Sequence, residues 1–240
     1  MKKRRTNSKT LTRTISAVAL LSVFLTSCIK SPSSNPGPLP PTALITVIQA
    51  SPDEPPVDFY FGASKADNTP LVFGQGLDYF SAPSGQSTVY FYGSSAMNTI
   101  ASASITLVTN GAYSLFLDNT VSKPGIFLLP DTLVQPASGD ASVRFIDLSP
   151  DAPAVNLVIQ GGKTMVSSVS FEGHSSFLPI NGNASYVFNV VNASTGAVLA
   201  TMPASRLNAG TAYSILFEGL SASTNSSDVL TMVLIPNAIF

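Results

Sequence analysis

The residue types on which protein chemistry most often depends are scarce here: one cysteine, one histidine and no tryptophan in 240 residues. Each shortage removes a class of function. With Cys28 alone, no disulfide can form within a monomer, so a folded body must rest on core burial. Zinc prefers cysteine and histidine ligands, and the chain is too poor in both to supply them. A serine triad would have to use His174, which follows Glu172 and Gly173 in a polar stretch and reads as a solvated loop residue without a positioned partner. Gly74-Gln75-Gly76 and Gly161-Gly162 lack the strand-to-helix setting of a phosphate loop. Nothing implies a cofactor. Two carboxylates could still meet in space for glycoside hydrolysis. Yet Asp53, Asp58, Asp118, Asp147 and Asp151 fall at strand ends or turns, where a carboxylate caps the backbone or simply hydrates.

What is present begins with a basic start, Met-Lys-Lys-Arg-Arg, followed by an apolar run over residues 15–25 and then Leu25-Thr26-Ser27-Cys28. Basic, apolar and small-residue segments in that order make a secretory signal. The run has 11 residues, whereas a spanning helix needs about 20. Leu-Thr-Ser-Cys resembles the lipobox of bacterial lipoproteins, which implies cleavage after residue 27 and diacylglycerol on the Cys28 thiol. Two or more acyl chains hold a protein at a membrane essentially permanently. The expected location is therefore the cell envelope, lipid-anchored and at the outer membrane, with the periplasmic face and the cell surface both open. Six of the twelve basic residues leave with the signal, so the mature chain carries about −7. An acidic body offers no footprint for a phosphate backbone, which excludes nucleic acid as a partner. Residues 28–42 are rich in proline and serine and read as an extended tether.

From residue 43 the sequence turns to short apolar or alternating runs broken by Gly, Pro, Asn, Asp and Ser, which predicts antiparallel β-structure. Strands are expected over 43–50, 57–61, 87–93, 113–118 and 126–129, then over 142–148, 155–159, 186–191, 213–217 and 230–235. In 57–61 the residues Val57, Phe59 and Phe61 share one face, Asp58 and Tyr60 the other. The two halves are copies. Residues 43–58 align without a gap on 141–156, 98 positions later; 111–116 align on 211–216 and 129–130 on 235–236. A copy of this size fits one β-sandwich. The expected fold is all-β, with two tandem antiparallel β-sandwiches, immunoglobulin-like or prealbumin-like, over 43–131 and 141–240, joined by a linker at 132–140.

Ser149-Pro150-Asp151-Ala152-Pro153-Ala154-Val155 resembles the opening of the bacterial domain-of-unknown-function family 4397, and Ser51-Pro52-Asp53-Glu54-Pro55-Pro56-Val57-Asp58 is similar to it. The resemblance implies tandem copies of a β-sandwich in an exported protein with no assigned activity. Read physically, proline presets φ for a turn while Ser51, Asp53, Ser149 and Asp151 bond nearby amides, with Pro52 and Pro150 between them. A cation site from Asp53, Glu54 and Asp58 is the weaker reading, because Glu54 becomes Ala152 and Asp58 becomes Asn156 in the second copy. No metal is expected.

One difference between the copies points to a ligand. Tyr60, Tyr90 and Tyr92 alternate with core residues in the first copy, whereas offsets of 98 and about 97 place Val158, Val187 and Asn189 in the second. Tyrosine rings on a wet strand face can stack on sugars or anchor a protein. High β-propensity alone also places tyrosine there. The expected function is a non-enzymatic, membrane-anchored envelope module binding a glycan or an envelope protein. An accessory subunit of an envelope complex is the alternative, and an unrecognised hydrolase the second. The anchor is directly testable: the intact mass of protein extracted from membranes should show a lipidated N-terminus at residue 28, and a water-soluble mature chain with an unmodified Cys28 would refute it.

Overall fold

The computed structural model describes residues 40–240; the signal segment, Cys28 and the tether before residue 40 lie outside the described residues. Alternating sequence builds eight strands per copy, and no helix occurs among the described residues. The first copy holds β1 (Thr42–Gln49), β2 (Val57–Phe61), β3 (Ser64–Lys65), β4 (Gln75–Pro83), β5 (Gly85–Gly93), β6 (Thr99–Leu107), β7 (Ala112–Asp118) and β8 (Gly125–Pro130). The second holds β9 (Asp140–Asp147), β10 (Val155–Ile159), β11 (Thr164–Val169), β12 (Leu178–Asn181), β13 (Ala184–Asn192), β14 (Val198–Leu207), β15 (Thr211–Glu218) and β16 (Thr231–Ile239).

Four four-stranded sheets result, ordered β4-β1-β7-β8 and β3-β2-β5-β6 in the first copy and β12-β9-β15-β16 and β11-β10-β13-β14 in the second. The orders are identical under exchange of copies, so the duplication extends to topology. All-β sandwiches were expected, but the pairing is not purely antiparallel: β1 runs parallel to β7, and β9 to β15. Parallel neighbours require a long crossover, and the strands between them, most of them in the opposite sheet, provide it. An immunoglobulin constant-type sheet places the first strand beside the second. Here β1 lies between β4 and β7.

Each sandwich encloses its own core. Ile45, Val47, Phe59, Phe91 and Leu115 anchor the first, and Phe145, Leu157, Phe188, Ile215 and Phe217 the second, all wholly buried. A third apolar cluster joins the copies: Ile48, Ala50, Phe116 and Leu129 from one, Ile146, Leu148 and Leu216 from the other. Consequently β7, β9 and β15 are dry on both faces along nearly their whole length, unlike the one-dry, one-wet pattern of a free sandwich. Residues 40–240 accordingly form a single compact unit.

Amid this cluster runs a polar network. The Arg144 guanidinium pairs with Asp131 at 2.6 Å, with both side chains almost wholly buried. It also donates to Ser214 Oγ at 2.6 Å and to Ser114 Oγ at 2.9 Å, and lies 4.9 Å from the centre of the Phe177 ring. Tyr79 donates its hydroxyl to Asp131, Asn237 donates to the Tyr79 oxygen at 3.0 Å, and Ser214 donates to Asn237 at 2.6 Å. Burial and the neighbouring Asp131 push the Tyr79 phenol upward, so it stays a donor.

Exchange of the copies maps Arg144 onto Thr46 and Asp131 onto Asn237. The ion pair therefore exists on one side of the interface only. Asp131→Asn should leave Arg144 buried and uncompensated, costing about 3–5 kcal/mol in urea unfolding. Adding Arg144→Thr, which copies the other side, should recover most of that loss. Equal stability of the single and double variants would show that the pair does not govern the interface.

Candidate functional site

The outer face of the β3-β2-β5-β6 sheet is where the three predicted tyrosines meet. In the β2–β5 ladder Tyr60 stands opposite Tyr90 and Asp58 opposite Tyr92. The Tyr60 and Tyr92 rings meet edge-on with centroids 5.2 Å apart, and Tyr90 stacks on Tyr92 at 5.7 Å and 13°. All three are half-buried. Behind them Phe59, Val89 and Phe91 point into the core, as the strand period demands.

The hydroxyls distinguish these rings from the rest. Tyr113 and Tyr213 accept from the amides of Val108 at 2.9 Å and Asn208 at 3.1 Å, matching each other in the two copies. Tyr79 is held by Asp131 and Asn237, and Tyr186 donates to the Asn181 carbonyl. Tyr60, Tyr90 and Tyr92 have no hydrogen bond to any described residue. A phenol that serves packing alone is normally satisfied when buried. These three keep their hydrogen-bonding capacity for solvent or ligand.

Small hydroxylated residues flank the rings: Ser102 stands opposite Tyr90 and Thr99 opposite Tyr92 on β6. No bulky side chain at those register positions covers the aromatic faces. On the other flank Lys65 pairs with Asp58 at 2.9 Å and approaches Asp67 at 3.8 Å. Asp67 in turn accepts from the Phe59 amide at 3.1 Å and fixes the start of this edge. Two acids around one base give the face no attraction for anions.

The second copy lacks the patch, although the correspondence needs correcting. Val158 pairs with Asn189 and Asn156 with Val191, as Tyr60 pairs with Tyr90 and Asp58 with Tyr92. The counterparts are thus Val158, Asn189 and Val191, with Val187 displaced by two residues. A slip of two keeps the same face, which is why the contrast between copies survives.

The turn motif acts differently from the expectation. Asp53 accepts from the Val121 amide at 2.8 Å, and Asp151 accepts from the amides of Ser221 at 2.7 Å and Ala222 at 3.1 Å. Both cap distant loops, after β7 and β15, instead of their own turn beside Pro52 and Pro150. Ser149 donates to the Gly219 carbonyl at 2.7 Å, and Ser51 is wholly buried without a side-chain partner. Asp53 and Asp58 serve separate partners, so the motif does not converge on one cation.

A cavity of about 460 Å³ lies at the seam between the copies, lined in part by Pro130, Arg144, His174, Ser175 and Phe177. His174 lies exposed with its ring 6.2 Å from Phe127 of the other copy. Ser175 accepts from the Phe145 amide and donates to the Ser176 carbonyl, so its oxygen is committed to the backbone. The site lacks the nucleophile–base contact that acyl transfer requires.

Sequence reasoning missed a set of carboxyls at the ends of the central strands. Asp118, Asp147 and Glu218 are wholly buried. Burial raises Asp118 and Asp147 to about 7 and Glu218 to about 8, with the Glu172 charge adding to the rise at Asp118. Their places at strand ends were visible, but their burial depends on the second sandwich.

Residues 43–158 match a family described as Domain of unknown function (DUF4397). The match is one continuous stretch that spans the first copy and the first two strands of the second. No curated protein matches the chain. Among solved structures, a carbohydrate-binding module (family CBM26) from Eubacterium rectale Amy13K, in complex with maltoheptaose, is 9% identical with a TM-score of 0.28, covering 81% of this chain and 97% of its own. A streptococcal virulence factor described for alpha-glucan binding is 10% identical with a TM-score of 0.25, covering 66% of this chain and 84% of its own.

The buried carboxyls set the pH dependence of stability. Below about pH 4 folded and unfolded chains both hold these protons. As pH rises the unfolded chain ionises first, while the folded one keeps Asp118 and Asp147 protonated to about 7 and Glu218 to about 8. Stability should therefore fall from about pH 4 towards pH 8, read as a lower urea midpoint at the alkaline end. A midpoint that is flat or rises over that window would contradict the burial of these groups.

Proposed function

We propose that this chain is a non-enzymatic binding module of the bacterial cell envelope, anchored by lipid on Cys28, that takes a glycan on the tyrosine face of its first sandwich. One observation carries the reading: Tyr60, Tyr90 and Tyr92 form a contiguous ring surface and are the tyrosines whose hydroxyls bond no described residue. Sugars present apolar C–H faces rimmed by hydroxyls, and the site offers the complement. The rings supply stacking area, while the phenols, Ser102 and Thr99 supply donors and acceptors around it.

The Lys65 ammonium is neutralised by Asp58 and Asp67, which favours a neutral glycan over an acidic one. In this reading the proline-rich tether holds the body away from the bilayer, and the second sandwich, a further copy of the same family, backs the first through the shared central cluster. The outer membrane is the proposed location.

The test is binding of the 40–240 body to a glycan array and to envelope extracts, before and after changing all three tyrosines to serine. Loss of hot-spot residues should cost about 2 kcal/mol or more, roughly thirtyfold in affinity. Unchanged binding by the triple variant would remove this face as the site. Binding confined to a protein in the extracts would replace the glycan with a protein partner.

A further inference from the structure

The two copies differ beside a cavity at the end of β15. Glu218 at the end of β15 corresponds to Asp118 at the end of β7, and Gly74 corresponds to Glu172, 98 positions on. The backbone agrees: the Gly74 amide donates to the Gln49 carbonyl at 2.9 Å, as the Glu172 amide donates to the Asp147 carbonyl at 2.8 Å. Both residues hold a left-handed conformation, φ +77° and +60°. At one end of the interface the Glu172 charge therefore lies near the Asp118 carboxyl. At the other end there is no side chain. A Cβ on Gly74 would stand 3.2 Å from Glu218 Oε1, so no side chain covers the carboxyl from this side, where the chain leaves a space.

That space is a cavity of about 300 Å³, with Phe73, Leu230 and Val233 as apolar wall and Ser226, Ser227 and Thr231 as hydroxyl rim. Glu218 is 0% exposed, and neither carboxyl oxygen has a hydrogen-bond partner. A buried carboxylate is stable only with a counter-charge and donors for its lone pairs. We propose that this cavity, separate from the tyrosine face, binds a small organic ammonium ion, its N–H groups on Glu218 and its carbon tail against Phe73, Leu230 and Val233. A primary ammonium supplies both missing elements at once, a positive charge and up to three donors. Calcium fits less well, since it takes six to eight oxygens and Glu218 is the single carboxylate of the lining.

The probe is n-butylammonium chloride, titrated into the 40–240 body by thermal shift and calorimetry, with tetramethylammonium and calcium chlorides at matched ionic strength. A saturable rise in Tm with n-butylammonium is expected, with no rise from tetramethylammonium, which has no N–H. Glu218→Gln should abolish it. Gly74→Glu is the second variant: it rebuilds the Glu172 arrangement at a φ that Glu172 itself tolerates, fills the space, and should abolish the response while the body stays folded. No response in the parent body, or one unchanged in Gly74→Glu, would overturn the site. A calcium response lost in Glu218→Gln would overturn the ammonium assignment. The triple tyrosine variant should respond like the parent, which keeps this outcome distinct from that of the glycan face.

Discussion

The architecture depends on the burial of one sheet of each sandwich against the other. Strands β1, β7, β9 and β15 carry apolar residues on both faces, so each sandwich alone would leave a large dry face in water. Packing the two faces together removes that surface at about 25 cal/mol per Å². Arg144 then sits in a place where an unpaired charge is intolerable, and Asp131 with Ser114, Ser214 and Phe177 makes the position tenable.

That pair also decides which surfaces can meet. Two first copies facing each other would set Asp131 against Thr46, and two second copies would set Arg144 against Asn237. Either arrangement buries a charge without its counter-ion, which costs more than the apolar contacts lose by waiting for the right partner. A duplicated unit has thus become two unequal halves that recognise each other within one chain. The carboxyls at the strand ends follow the same division: Asp118 is met by Glu172, whereas Glu218 is met by Gly74 and a cavity.

Because the central strands are used up on one another, the two outer sheets are the ones that keep a broad face free for a partner. On the second copy that face carries Val158, Asn189 and Val191, with Asn189 accepting from Thr201. On the first it carries three tyrosines in ring-to-ring contact, with unengaged hydroxyls. The asymmetry of the interface and the asymmetry of the outer faces are therefore two results of the same divergence between copies.

The sequence by itself determined the repeat, the strand period and the central strands, because residues buried in the middle of a sheet must be apolar at fixed spacing. Every strand the pattern left out, β3, β4, β6, β11, β12 and β14, is an edge strand. Edges such as Thr99–Leu107, with Ala101, Ser102, Ala103 and Ser104, use small and polar residues that blunt the apolar signal and discourage further pairing. It also determined that Tyr60, Tyr90 and Tyr92 share a face, since alternation is local. Only the tertiary structure decided that these rings touch, that their hydroxyls are free where Tyr79, Tyr113, Tyr186 and Tyr213 are bonded, and that Glu218 is buried. Those facts depend on residues tens of positions away being brought together, and no local spacing records which sheet will cover which.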